Sequence, residues 1–220
     1  MLVAGVDDAG RGCVIGPLVI AGILMQEEDL HKLVKLGVKD SKLLSPYRRE
    51  QLELEIKQIA QKHTIVKLPP AEIDEVVLKG RKLHRLNWLE AKAMAKVIER
   101  LRPEKAYVDA SDILEKRFGE DVKRNISFDV EIVSEHKADQ KYPIVSAASV
   151  IAKVERDREI ELLRQRHGDF GSGYPSDPKT IVFLQQILQK YGEYPDFVRK
   201  SWKPAKKALI ENEKAQTKLM

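Results

Sequence analysis

Strand signals open the 220-residue chain and then alternate with helix signals, which predicts an α/β protein with a central mixed β-sheet flanked by helices and a helical C-terminal extension. Three observations carry this. Two short apolar runs, Leu2 to Val6 and Leu18 to Met25, are parted by the glycine-rich stretch Ala9-Gly10-Arg11-Gly12. Ile126, Phe128, Val130 and Ile132 alternate with polar residues at the period of a half-buried strand. Long segments with helical spacing lie between and after these strands.

In chain order, the opening runs read as strand, tight loop, strand, hence a hairpin. Ser45-Pro46 starts a helix, with serine as N-cap and proline at the first helical position, and Leu52, Ile56 and Ile59 fall on its apolar face. Thr64 to Leu68 reads as a strand ended by Pro69-Pro70. After Gly80, Leu86, Leu89, Ala93, Val97 and Leu101 keep helical spacing until Pro103 stops it. Strand Lys105 to Asp109 follows, then the alternating segment from Ile126, expected to end at Val133. A helix from Pro143 through Ala147, Ile151 and Leu162 stops at Gly168, with basic residues where the helix dipole favours them. A Gly/Pro/Ser loop from Asp169 to Pro178 leads to a helix through Ile181, Leu184 and Leu188, and the chain ends in helix. Length and pattern suit residues 1–180 as one core domain and 181–220 as a helical, basic extension.

Hydrophobic residues at 43% and charged residues at 33% exclude a disordered or collagen-like chain. The longest uncharged stretch, Gly12 to Gln26, is too short to cross a bilayer and contains Gly16, Pro17 and Gly22. Asp7 and Asp8 interrupt the apolar N-terminus, so no signal peptide is expected and the reading is cytoplasmic. Cys13 stands alone, which excludes an intramolecular disulfide and a cysteine metal cage. The net charge of +5 comes wholly from residues 199–220, where seven Lys and Arg face two Glu. Such a segment suits contact with a polyanion or, equally, a solvated amphipathic helix.

Adjacent acids at a strand end, Asp7 and Asp8, need solvent, a cation or donors to offset their repulsion. Asp109 likewise follows an apolar strand, and Asp139 lies a few residues beyond another. Carboxylates at the ends of neighbouring strands can converge, and hard oxygen donors suit Mg²⁺ or Mn²⁺. Two such ions about 4 Å apart would support in-line phosphodiester hydrolysis without a protein nucleophile. Taken one by one, the same residues could instead cap turns, and Asp109-Ala-Ser-Asp112 could start a short helix.

The motifs Gly5-Val-Asp7-Asp8-Ala-Gly10-Arg11-Gly12, Gly16-Pro-Leu-Val19, Lys39-Asp-Ser-Lys42, His136-Lys-Ala-Asp139, Ser146-Ala-Ala-Ser149-Val-Ile-Ala-Lys153 and Gly171-Ser-Gly-Tyr174-Pro-Ser-Asp177 occur in this order. Together they strongly resemble type 2 ribonucleases H, ribonuclease HII in particular, over about residues 2 to 180, with an archaeal cast to the His-Lys-Ala-Asp form. The resemblance implies a ribonuclease H fold with Asp7, Asp8, Asp109 and Asp139 as the catalytic, metal-binding quartet for two Mg²⁺ or Mn²⁺ ions. It implies that Gly10, Arg11, Gly12 and Tyr174 read the junction of a ribonucleotide with DNA, and that Lys42, with Lys137 and Lys153, holds phosphates. The implied activity cuts the RNA of RNA–DNA hybrids and incises duplex DNA 5′ to embedded ribonucleotides, leaving 3′-hydroxyl and 5′-phosphate ends. A monomer is expected. Gln216-Thr-Lys-Leu-Met220 matches the family's terminal clamp-binding motif poorly, so sliding-clamp binding stays open.

Two positions depart from the family pattern. Asp8 stands where glutamate is usual, and Cys13 where proline is common. Aspartate is shorter by one methylene, roughly 1.5 Å of reach, so slowed cleavage or a preference for Mn²⁺ is expected. The rival readings are another ribonuclease H-like nuclease and a hybrid-binding protein whose Asp8 has cost it catalysis.

Overall fold

A computed structural model describes residues 1–38, 44–79 and 85–217. Lys39-Asp-Ser-Lys42, with its expected phosphate ligand Lys42, lies outside the described residues. Among the described residues the elements are β1 (Leu2–Ala9), β2 (Leu18–Gln26), α1 (Leu30–Leu36), α2 (Pro46–Ile59), β3 (Lys62–Leu68), α3 (Pro70–Lys79), α4 (Arg85–Leu101), β4 (Lys105–Asp109), α5 (Glu115–Lys123), β5 (Glu131–Glu135), α6 (Ala138–Lys141), α7 (Pro143–His167), α8 (Pro178–Tyr191) and α9 (Lys203–Thr217). By their internal contacts they fall into two units, Met1–Ala9 with Val19–Lys67 and Leu83–Glu155, and Gly10–Leu18 with Leu68–Lys82 and Arg156–Met220.

The first unit holds the sheet, in the order β3-β2-β1-β4-β5. The expected hairpin forms, with β1 antiparallel to β2 and Asp7 opposite Ala21. β4 and β5 continue the sheet in parallel, so it is mixed, as the sequence predicts. The unbroken apolar run of β2 is buried on both faces, which such a run requires. Helices cover both faces: Gly22 of β2 admits α4 at Val97 and Leu101, and Gly5 of β1 admits the backbone of α7 at Ile144 and Val145. At either glycine a Cβ would clash, so both are packing requirements. Val3, Ala21, Ile23 and Met25 build the core on the α7 side with Ile144, Val145 and Ile151.

Several predicted boundaries hold. Ser45 caps α2, its hydroxyl accepting from the Arg48 amide at 3.2 Å, and Pro46 is the first helical residue. Pro103 follows the end of α4, and α7 runs from Pro143 to His167 before Gly168. Elsewhere the structure corrects the reading. The alternation from Ile126 to Ile132 is not one strand, because β5 spans only Glu131–Glu135. Residues 126–130 still turn alternate side chains inward, and Phe128 lies under the Arg102 guanidinium at 4.6 Å. Alternation reports which side faces the protein, whereas a strand also needs a neighbour in register. Helix α3 has no counterpart among the sequence signals. Helix α5 begins beyond Asp112, whose carboxylate instead accepts from the Leu114 amide at 3.1 Å and pairs with Arg117.

The second unit has its own core, in which Val14, Ile15, Ile160 and Phe170 pack with Phe183, Leu184 and Leu188 of α8 and Ala205 and Ala208 of α9. Here lies a second correction. Arg199, which the sequence places in a basic tail, is fully buried. Lys203, Lys206 and Lys207 of α9 are exposed, as the amphipathic-helix reading requires. Among the described residues no helix is long and apolar enough to cross a membrane.

Candidate functional site

In the first unit, sheet register brings Asp7 and Asp109 together. β1 and β4 run parallel, and Val6 pairs with Val108 as the last registered pair. Asp7 and Asp109 therefore follow at the same end of adjacent strands and on the same side. Asp7 is buried, while Asp8 and Asp109 are partly exposed. Burial raises the Asp7 carboxyl well above the usual carboxylate range, the negative charges of Asp8 and Asp109 push it further, and the Ser149 hydroxyl and Asp8 amide pull weakly the other way. The Asp8 amide donates to Asp7 Oδ1 at 2.7 Å.

Asp139 is linked to the end of β4 through its neighbour Ala138. Lys137 adopts a left-handed conformation, φ 55°, and turns the chain from β5 into the short helix α6, in whose first turn Asp139 is buried. The Ala138 amide then donates to Asp109 Oδ1 at 2.7 Å, tying the residue before Asp139 to the end of β4. His136 braces the loop after Asp109, its Nδ1 lying 3.1 Å from the Ala110 carbonyl oxygen and its Nε2 3.3 Å from that of Ile113. Glu135 sits opposite Asp109 in the β4–β5 register but is engaged elsewhere. The Lys141 ammonium and the Tyr142 hydroxyl hold its carboxyl below the usual range.

Among the described residues no three His, Cys, Asp or Glu side chains converge as a ready-made metal cage. The chemistry of the donors nevertheless fits a divalent ion. They are hard oxygen ligands whose mutual repulsion, plain at Asp7, a divalent cation would relieve. With neither a cysteine nor a histidine pair among them, the set favours Mg²⁺ or Mn²⁺ over zinc.

The second unit carries Gly10, Arg11, Gly12 and Tyr174. Gly10 is buried with φ 88°, and a Cβ there would meet the Pro17 carbonyl oxygen at 2.9 Å, so only glycine serves. Gly12 differs. It is exposed, and the first atom its Cβ would meet is Tyr174 Cε1 at 3.8 Å, an ordinary contact. Packing thus leaves room for a side chain at Gly12. Arg11 is partly exposed.

Tyr174 is neither a surface nor a core tyrosine. Its half-buried ring lies under the Arg156 guanidinium at 4.7 Å. Burial first, then Cys13, push its hydroxyl up to about 12, which keeps it a proton donor at any working pH. Its loop is pinned by Thr180, whose hydroxyl donates to the Phe170 carbonyl at 2.8 Å and accepts from the Gly173 amide at 3.1 Å. Asp177 accepts from the Ser172 amide at 2.7 Å and caps α8 at the Lys179 amide. Lys137 is exposed and Lys153 partly so.

Sequence reasoning missed the two buried arginines behind these loops. Arg156 donates to Cys13 Sγ at 3.0 Å, to Asp157 at 3.0 Å and to the Ser172 carbonyl. Arg199 donates to the carbonyls of Gly10 at 2.7 Å, Arg11 at 2.9 Å and Gly16 at 3.1 Å. No local pattern marks them, because arginine in a basic segment is ordinarily solvated.

The family described as Ribonuclease HII matches residues 4–205. Ribonuclease HII of Thermococcus onnurineus is 47% identical over 209 residues, covering 94% of this chain and 89% of its own. Among solved structures, ribonuclease H2 from Pyrococcus horikoshii superposes with a TM-score of 0.90 at 46% identity, covering 97% of this chain and 100% of that one. The ribonuclease HII of an Archaeoglobus fulgidus complex with PCNA gives 0.83 at 45% identity, covering 94% and 96%. A Bst-RNase HIII in complex with Mn²⁺ gives 0.80 at 21% identity, covering 97% and 71%, a likeness of fold alone.

Proposed function

The chain belongs to the ribonuclease HII family and is a hydrolase, an endonuclease for the RNA of RNA–DNA hybrids, and from that premise we propose that it also incises duplex DNA 5′ to embedded ribonucleotides, with Asp7, Asp8, Asp109 and Asp139 holding two Mg²⁺ or Mn²⁺ ions. The carrying observation is the cluster at Asp7, a buried carboxylate raised by burial and by the charges of Asp8 and Asp109. A divalent cation would relieve the mutual repulsion of carboxylates grouped in this way.

When bound, the ions supply Lewis acidity at the scissile phosphate and an activated water. The protein's own residues then have separate tasks. Asp7 and Asp109, on adjacent rigid strands, fix the site, and Asp139 is presented by the turn at Lys137. Asp8, one position further along β1 and partly exposed, is the most substrate-accessible of the pair on that strand. Gly12 lets the backbone approach a sugar-phosphate oxygen, Arg11 pairs with phosphate, and Tyr174 offers a ring to stack on a sugar and a hydroxyl to donate. Lys42, Lys137 and Lys153 add point charges for phosphates. In this reading the protein acts as a monomer, residues 1–180 carry the chemistry and 181–220 add affinity for duplex.

The test uses three duplexes, all-DNA, DNA with one ribonucleotide, and RNA–DNA hybrid, each with Mg²⁺, Mn²⁺ or no divalent ion. Cleavage of the second and third only, with a single cut 5′ to the ribonucleotide and only with metal, is expected. Asp7→Asn and Asp139→Asn each remove several kcal/mol of charge stabilisation, so a fall in kcat of at least about a hundredfold is expected. Cutting of all-DNA duplex would point to another ribonuclease H-like nuclease. Tight binding without products in either metal would favour the impaired-binder reading that Asp8 raises.

A further inference from the structure

We propose that Arg199 is a positioning residue for ribonucleotide recognition: from behind the Gly10-Arg11-Gly12 loop its buried guanidinium aims and polarises the amide N–H groups of Arg11 and Gly12. The inference rests on the assignment of that loop to the ribonucleotide.

Burying a guanidinium is costly unless its donors are satisfied. Here all three of its nitrogens donate, to the carbonyls of Gly16, Arg11 and Gly10. The segment bearing Arg199 is itself locked in place. The Arg199 amide donates to the Val14 carbonyl at 2.8 Å, Ile15 pairs with Val198, and the Gly16 amide donates to the Phe197 carbonyl at 2.9 Å. Asp74 of α3 accepts from the amides of Lys200 at 2.7 Å and Ser201 at 2.9 Å, and the Trp202 ring covers the guanidinium at 5.0 Å.

Peptide geometry supplies the consequence. In a planar trans peptide the carbonyl and the following N–H point in opposite directions, and among the described residues every peptide is trans. With the Gly10 and Arg11 carbonyls turned onto Arg199, the N–H groups of Arg11 and Gly12 must face away from it. Gly12 is exposed, so the second N–H is set at the surface. A cation at a carbonyl oxygen draws density through the amide and strengthens the N–H as a donor. Two consecutive, polarised donors at a glycine without a packing role form a receptor for an oxygen close to the backbone, and the ribose 2′-hydroxyl is the oxygen that DNA lacks.

The experiment measures Kd without divalent ions for the full-length protein, on a duplex with one ribonucleotide and on the matching all-DNA duplex. Arg199→Gln and Arg199→Lys are compared, with Tm recorded. The Gln variant is expected to lose about tenfold of the ratio between the two duplexes, and the Lys variant, which keeps the charge but not the fork, to recover part of it. A merely structural arginine would lower Tm and weaken both duplexes alike. That result, or an unchanged ratio, overturns the proposal. Should the Gln variant not fold, the unaltered protein decides: its Arg11 and Gly12 amide protons move downfield on the ribonucleotide duplex and not on all-DNA, and equal movement on both overturns the proposal. If the unaltered protein fails to distinguish the duplexes at all, the ribonucleotide assignment falls. The polarisation is still read in the free variants, as an upfield move of the same two protons in Arg199→Gln that Arg199→Lys restores in part.

Discussion

At Asp8 one methylene separates this chain from the glutamate usual in its family. Asp8 pairs with Ile20 across the hairpin, and its amide is already committed to the Asp7 carboxylate at 2.7 Å. Its backbone therefore cannot slide to compensate for a short side chain, and reach is lost outright. Asp8→Glu is expected to raise kcat in Mg²⁺ by about tenfold, or about 1.4 kcal/mol off the barrier, with a smaller gain in Mn²⁺. Equal or lower rates in Mg²⁺ would count against a loss of reach at Asp8. The acidic residues were legible in the sequence because charge at the end of an apolar strand is anomalous without a partner. Arg156 and Arg199 were not, because nothing local distinguishes a buried arginine from a solvated one.

Among the elements, β1 carries the packing of α7 and two of the four acids within eight residues. Gly5 is where the first turn of α7 touches the strand, and a Cβ there would run into the Ile144 and Val145 backbone, which no rotamer change relieves. Gly5→Ala is expected to cost about 3 kcal/mol, or roughly 6–12 °C in Tm, read by thermal unfolding. A change under about 2 °C would mean that α7 is free to shift. Strand and helix centres were readable from periodicity, and ends from Ser45-Pro46, Pro103 and Gly168. What periodicity could not supply was pairing. Residues 126–130 have the strand's alternation but join no ladder, and α5, expected at most as a short helix opening near Asp112, starts only after that residue has been taken up by Arg117 and the Leu114 amide.

For the molecule taken entire, the net charge of +5 is the property most visible without a structure. Burial of Arg199 takes one charge out of that account, and Ala205 and Ala208 turn α9 inward so that Lys203, Lys206 and Lys207 face solvent. Replacing these three lysines by alanine is expected to weaken duplex binding and to flatten the plot of log K against log salt by roughly 0.9 for each phosphate that is no longer neutralised, measured by fluorescence anisotropy. An unchanged slope would leave α9 a solvated helix with no part in binding.

Local sequence was enough for the class of fold, the hairpin that presents Asp7 and Asp8, the helix ends, and an ordered motif set specific enough to identify the family. These are properties of neighbours in the chain: periodicity, capping and residue chemistry are all set within a few positions. It took the folded chain to establish that Asp109 stands beside Asp7, that Glu135 is drawn off by Lys141 and Tyr142, and that an arginine nearly 190 residues away grips the loop after β1. Those outcomes depend on register and on the desolvation of charges by distant segments, and a local pattern contains neither.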